Sequence, residues 1–302
     1  MQVWETLVGP LQYAFFQKGL LVAAMSGALL GLIGVYITLR GMSYIGHGLA
    51  HAIFGGFAAS QLITSGLYVF GAGIWGIASA LAINAVSRKR SISADSAIGV
   101  VTTASFALGI ALLTKFGTRG PSFDNALFGS ILGISTGQIV GLSIVIIFTV
   151  IFVVMRFRAL LFATFDPEVA NVSGVNVGRN DAMLMVILSL AILATLTVIG
   201  VTLVAAMLVI PAVVARMWTD SFSRMLWLSS LIGAACGLSG MYLSYYAGVP
   251  SGTMIVLTGA SVFCVSLIVT GARGRRRAIN WDHHGSDVLG ATTEPVVLTP
   301  VR

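Results

Sequence analysis

Charge is what this sequence has least of. Only 9% of its 302 residues are Asp, Glu, Lys or Arg, against roughly a quarter in an ordinary soluble domain, while 57% are hydrophobic. A water-soluble globule is excluded by that balance. Carboxylates are scarcest within the apolar runs: Asp95, Asp166, Glu168 and Asp181 all fall at run ends or between runs. Carriers driven by an ion gradient usually embed such a group in a span, which counts against a stand-alone secondary carrier or channel. No Gly-rich loop ending in Gly-Lys-Ser/Thr occurs, so the chain is not expected to bind ATP by itself. A His-Glu-x-x-His motif is also missing, which counts against a membrane-embedded metalloenzyme. Cysteine is limited to Cys236 and Cys264, each inside an apolar run, so no disulfide framework is indicated and packing roles are expected.

What the sequence does have is length of apolar chain. A helix needs about 20 largely apolar residues to cross the hydrocarbon core of a bilayer. Such runs occur at 19–39, 43–64, 67–86, 96–114, 137–155, 181–199, 203–217, 226–246 and 251–270. The seventh is short, contains Pro211 and follows Gly200 almost at once, so a half-helix or a steeply turned segment is expected there. The predicted fold is all-α, a polytopic membrane bundle of 8–9 spans. It divides into an extracytoplasmic segment at 1–18, a transmembrane domain at 19–272 and a basic, disordered cytoplasmic tail at 273–302. Met1 to Lys18 includes Glu5 and Pro10 and lacks a basic start, an apolar core and a small-residue cleavage site, so no removable leader is expected.

The net charge of +7 reads as topology rather than as affinity for nucleic acid, because the basic residues mostly sit at run ends. With the Arg88-Lys89-Arg90 loop in the cytoplasm, alternation places Arg40, Arg156, Arg158, Arg179, Arg216, Arg224 and the Arg273 to Arg277 cluster there too. Lys18, Lys115 and Arg119 remain outside. Cytoplasmic loops are enriched in Lys and Arg, so the N-terminus is expected outside and the C-terminus inside. Glycine is abundant at 35 residues and is scattered through the runs with Ala and Ser, as in Gly27-Ala28, Gly31, Gly34 and Gly55-Gly56. Small residues let helix backbones approach closely in lipid, and tight bundle packing accounts for most of them.

Two of the four histidines, His47 and His51, lie four apart in the second run. Residues at i and i+4 share one helix face, so both imidazoles can address one point. Ionisable side chains inside a membrane usually face a bundle interior or an aqueous path, and neutral imidazole is a common transition-metal ligand. Gly46, Gly48, Ala50 and Ala52 leave room beside both rings for a neighbouring helix or an ion. On chemistry alone, metal ligation and simple hydrogen bonding to a neighbouring helix stand level. His283 and His284 sit in the tail, where a solvated, incidental role is expected.

Two cytoplasmic stretches stand out. Phe165 to Gly174 begins with Asp166-Pro167-Glu168 and reads as a short amphipathic turn along the membrane surface. Ala212 to Met225 carries Arg216, Asp220 and Arg224 between apolar residues, and reads as a short helix projecting from the bundle as a docking knob.

Five elements in order carry a family resemblance: Arg40-Gly41-Met42-Ser43 through His47 and His51; Ala94-Asp95-Ser96-Ala97-Ile98-Gly99; Phe165-Asp166-Pro167-Glu168; Gly200-Val201-Thr202-Leu203-Val204 through Ile210-Pro211-Ala212; and Pro250-Ser251-Gly252. Over about residues 10–270 the chain resembles the permease subunits of ATP-driven importers for zinc, manganese or iron, and is similar also to the cobalamin and siderophore permeases. The resemblance implies a multi-pass protein of a prokaryotic cytoplasmic membrane. It implies a homodimer with two cytoplasmic ATP-binding subunits and an extracytoplasmic metal-binding protein, no cofactor of its own, and a divalent ion such as Mn2+ or Zn2+ as cargo. It places the ATPase-coupling element in the Pro211 to Met225 region, with Pro211, Arg216, Asp220 and Arg224. The segment of Asp166 and Glu168 becomes a second contact. Members of the family typically carry Asp and His four residues apart in the second span as pathway metal ligands. Here His51 matches the histidine and His47 stands where Asp is usual. If two copies meet across a twofold axis, up to four imidazoles surround one ion. Nitrogen-rich ligation suits zinc, iron or copper, whereas manganese prefers more oxygen.

Overall fold

The computed structural model describes residues 9–60, 68–88, 92–116 and 133–290, and among them every regular element is helical. The helices are α1 (Ala14–Leu39), α2 (Ile45–Ser60), α3 (Tyr68–Ser87), α4 (Ala94–Phe116), α5 (Thr136–Met155), α6 (Phe157–Phe165), α7 (Pro167–Val172), α8 (Val177–Ile199), α9 (Val201–Trp218), α10 (Phe222–Ala247) and α11 (Ser251–Gly290). Lys89, Arg90, Arg119 and the last residues of the tail lie outside the described residues.

Each of the nine apolar runs contributes a helix, but among the described residues seven are long and apolar enough to cross a membrane, not eight or nine. Helix α9, with 18 residues, rises roughly 27 Å at about 1.5 Å per residue, less than the ~30 Å hydrocarbon core. Helix α2 is described over 16 residues, and the rest of its apolar run lies outside the described residues. The seventh run is nonetheless one continuous helix rather than a half-helix. Gly200, at φ 83° and ψ 164°, separates it from α8 in a conformation open essentially to glycine alone. Pro211 lies inside α9, where its missing N–H costs one backbone hydrogen bond without ending the helix.

Helix α11 runs from Ser251 to Gly290. Arg is a good helix former, and extending an existing helix is far easier than nucleating one.

Close backbone approach sets the core. A Cβ on Gly27 of α1 would fall inside contact distance of the Gly233 carbonyl of α10, and the reverse clash is equally severe. Gly31 lies against Ser229 and Gly237 against Ala23 in the same seam. There Ser229 Oγ donates to the Gly31 carbonyl at 2.6 Å and Ser230 Oγ to the Ala28 carbonyl at 3.1 Å. Lipid supplies no hydrophobic force between helices, so small residues and interhelical hydrogen bonds of this kind hold them together. At the opposite extreme α5 buries only 17% of its most apolar window, and Ile144, Ile147, Ile151 and Val154 are exposed as lipid-facing surface.

The basic residues gather as helix polarity requires. Arg40 reaches Asp181 of α8, Arg156 donates to Asn180 of the same helix, and the Arg88 guanidinium packs against Gly178. The ends of α1, α3 and α5 and the start of α8 therefore share one end of the bundle.

Candidate functional site

A tight reversal delivers the histidine helix. After Leu39, Arg40 caps α1 and Gly41 takes φ +70°. Its N–H donates to Thr38 at 3.2 Å, and the Met42 N–H donates to Ile37 at 3.1 Å. These are the two bonds of a Schellman motif, which needs a left-handed residue and so favours glycine. The chain then turns into α2, with His47 and His51 in its first two turns.

Small residues seat α2 against three neighbours. A Cβ on Gly48 would lie 2.9 Å from Thr102 of α4, one on Gly46 2.6 Å from Leu208 of α9, and one on Gly56 2.6 Å from Trp75 of α3. Most of the helix is buried in consequence, while His47 and His51 remain half-buried. The imidazoles stand edge to face, with ring centres 4.6 Å apart and planes at 72°. Tyr44 lies 5.4 Å from His47, and Phe106 of α4 lies 5.5 Å from His51. The result is a stack of Tyr44, His47, His51 and Phe106 along one side of α2.

The spacing has chemical meaning. With metal–nitrogen bonds of about 2.0–2.1 Å, two rings bound to one ion have centres roughly 4.5 Å apart at a right angle and roughly 5.2 Å apart at the tetrahedral angle. Among the described residues no cluster of three or more His, Cys, Asp or Glu is present. The described residues thus bring two imidazoles together on α2.

The charged candidates lie at the basic end of the bundle. Asp166 is the N-cap of α7, its Oδ1 accepting from the Val169 N–H at 2.9 Å, with Pro167 in the first turn. Glu168 is exposed beside it. Arg216 lies in the last turn of α9, Asp220 in the corner and Arg224 in the first turn of α10, all exposed, whereas Pro211 is buried inside α9. The expected short docking helix over 212–225 is absent. Extended Thr219, at φ −150° and ψ 141°, ends α9 three residues before α10 begins, leaving a sharp corner.

The two stretches meet. Phe222 at the start of α10 lies 5.7 Å from Phe157 and 5.8 Å from Phe165, the two ends of α6. Phe222, Tyr44 and Phe106 carry no sequence motif; only their register beside named residues could have drawn attention to them.

The model of the ABC 3 transport family matches residues 12–270. The manganese transport system membrane protein MntC of Listeria monocytogenes is 35% identical over 268 residues, covering 89% of this chain and 95% of that protein. A probable iron transport system membrane protein of Haemophilus influenzae is 31% identical over 273 residues, covering 90% of this chain and 100% of its own. Among solved structures, PsaBC from Streptococcus pneumoniae in complex with Fab superimposes with a TM-score of 0.77 at 32% identity, covering 88% of this chain and 95% of that one.

Proposed function

This chain belongs to the ABC 3 transport family, and on that premise we propose that it is the membrane path of an ATP-driven importer for a divalent transition metal, manganese or zinc, with iron as a third candidate. The ion passes between two copies of the chain, and His47 and His51 of each line the passage. ATP is bound and hydrolysed by separate cytoplasmic subunits, and an extracytoplasmic metal-binding protein delivers the ion. The N-terminus lies outside and the C-terminus in the cytoplasm, so the ATPase docks on the basic end of the bundle. Asp166, Glu168, Arg216, Asp220 and Arg224 present their charges there.

The observation that carries this reading is the pair of half-buried imidazoles at 4.6 Å on one side of α2. Their spacing suits one shared ion, and the shortage of further donors among the described residues favours a site completed by a second copy. The manganese and iron names of the relatives add support, as does the shortage of carboxylates within the spans.

The test is metal uptake by cells expressing His51→Ala and the double variant His47→Ala/His51→Ala, with membrane insertion checked by immunoblot. Loss of uptake with normal insertion is expected. Wild-type uptake in the double variant would remove both histidines from the path, and uptake by the purified chain alone in liposomes, without ATP, would overturn the importer reading.

A further inference from the structure

The last turn of α1 concentrates buried polar chemistry. The Arg40 side chain is 10% exposed. Its Nη1 donates to Asp181 Oδ1 of α8 at 2.5 Å, and its Nε donates to Thr164 Oγ1 of α6 at 3.2 Å. Its third arm, Nη2, is buried without an acceptor, and so is the hydroxyl of Tyr36 one turn earlier on the same face. A guanidinium is built for two parallel bonds to one carboxylate. Here the fork is divided between two helices, and one donor is left over.

Its connections run to both proposed working parts. On one side, Arg40 leads straight through the Gly41 turn into α2, with His47 seven positions on. On the other, Thr164 stands two positions before Asp166, the cap of α7, in the segment where the ATPase is proposed to dock. Thr164 Oγ1 itself donates to the Leu160 carbonyl at 2.7 Å, so its bond to Arg40 is a neutral acceptor contact that is readily exchanged. The bond from Nε to Thr164 can therefore open while Nη1 keeps its hold on Asp181, because the two contacts use different nitrogens.

We propose that Arg40 is a positioning residue that transmits movement of the α6–α7 segment to the histidine helix. While Thr164 holds one arm of the fork, α2 is kept in the placement described here. When the docked ATPase draws α6 away, the bond from Nε to Thr164 opens while Nη1 stays on Asp181, and the end of α1 with the start of α2 is free to shift. The proposal rests on the importer reading. It requires an element that both ends can bias, and Arg40 touches both, Thr164 through its side chain and α2 through the Gly41 turn.

The test uses the complete transporter, with its ATPase and metal-binding protein, in proteoliposomes with Mn2+ as probe. The measured quantity is manganese imported per ATP hydrolysed. Thr164→Val removes the acceptor and keeps the shape, whereas Thr164→Ser keeps the hydroxyl. We expect Thr164→Val to retain at least half of the ATPase rate yet import about tenfold less metal per ATP, and Thr164→Ser to restore the wild-type ratio. Arg40→Gln should lower the ratio at least as far. If Arg40→Gln fails to assemble, the half-buried Thr164 pair still decides. A Thr164→Val transporter that imports as much per ATP as Thr164→Ser, beside a working wild type, overturns the positioning role alone. A wild type that hydrolyses ATP and moves none of Mn2+, Zn2+ and Fe2+ overturns the importer reading and the positioning role with it.

Discussion

Phe222 stands edge-on to Phe165, with ring centres 5.8 Å apart and planes at 81°. The same ring lies 5.3 Å from Tyr36 and 5.7 Å from Phe157. One aromatic residue at the α9–α10 corner therefore gathers the end of α1 and both ends of α6. The charges of Asp166 and Glu168 and those of Arg216, Asp220 and Arg224 become parts of one surface as a result.

Phe222→Ala should loosen that surface. Aromatic pairs contribute about 0.5–1.5 kcal/mol each beyond their burial, so losing three should destabilise the purified permease by roughly 1.5–4.5 kcal/mol, read as a lower Tm in detergent. Recovery of the ATPase with the tagged permease should fall in parallel. Full ATPase recovery alongside a lowered Tm would show that the two segments do not act as one docking surface.

His47→Asp tests what sets metal preference. Replacing one imidazole per chain with a carboxylate raises the oxygen content of the proposed site, which favours manganese over zinc. In competition uptake, the variant should take manganese over zinc several-fold more strongly than the wild type. An unchanged ratio would take His47 out of the ligand set.

Acid should inhibit uptake, and the sign follows from ligand chemistry. A histidine must be neutral to bind a metal, so lowering the pH favours the protonated, metal-free form. Initial uptake rates measured over roughly pH 5.5–7.5 should fall as the pH falls. The fall should be shallower in His47→Asp, because two of four imidazoles are gone from a site shared by two copies. Identical pH profiles for the two proteins would contradict a site that gathers both histidines.

Hydropathy made the nine helices legible, because each is a local run, and the i, i+4 spacing placed both histidines on one face before any coordinates. Gly200 was legible as a break for a local reason too: its backbone conformation suits glycine alone. What escaped the sequence is non-local. Arg40 and Asp181 are 141 residues apart, and no spacing rule links them. Asp181 read as a run-end carboxylate, whereas in the fold its side chain is only 19% exposed and paired. The corner at Thr219 was misread as part of a helix because Arg216, Asp220 and Arg224 stand between apolar residues across it, although Thr219, Asp220 and Ser221 are themselves weak helix formers.

Glycine in this bundle has two roles that one experiment separates. At Gly27 and Gly233 the opposing backbones touch, and an added methyl on either would meet the carbonyl of the other. At Gly99 of α4 and Gly141 of α5, nothing lies within 4 Å of a built Cβ. Overpacking a close seam costs about 1–3 kcal/mol, whereas Ala in an open helical position is favoured over Gly by roughly 0.5–1 kcal/mol. Gly27→Ala and Gly233→Ala should therefore lower the Tm of the detergent-purified permease, and Gly99→Ala and Gly141→Ala should leave it level or raise it. If all four substitutions shift the Tm alike, the α1–α10 seam yields to a methyl group and its glycines serve only as flexible filler. A split between the pairs ties the closeness of α1 and α10 to those two residues.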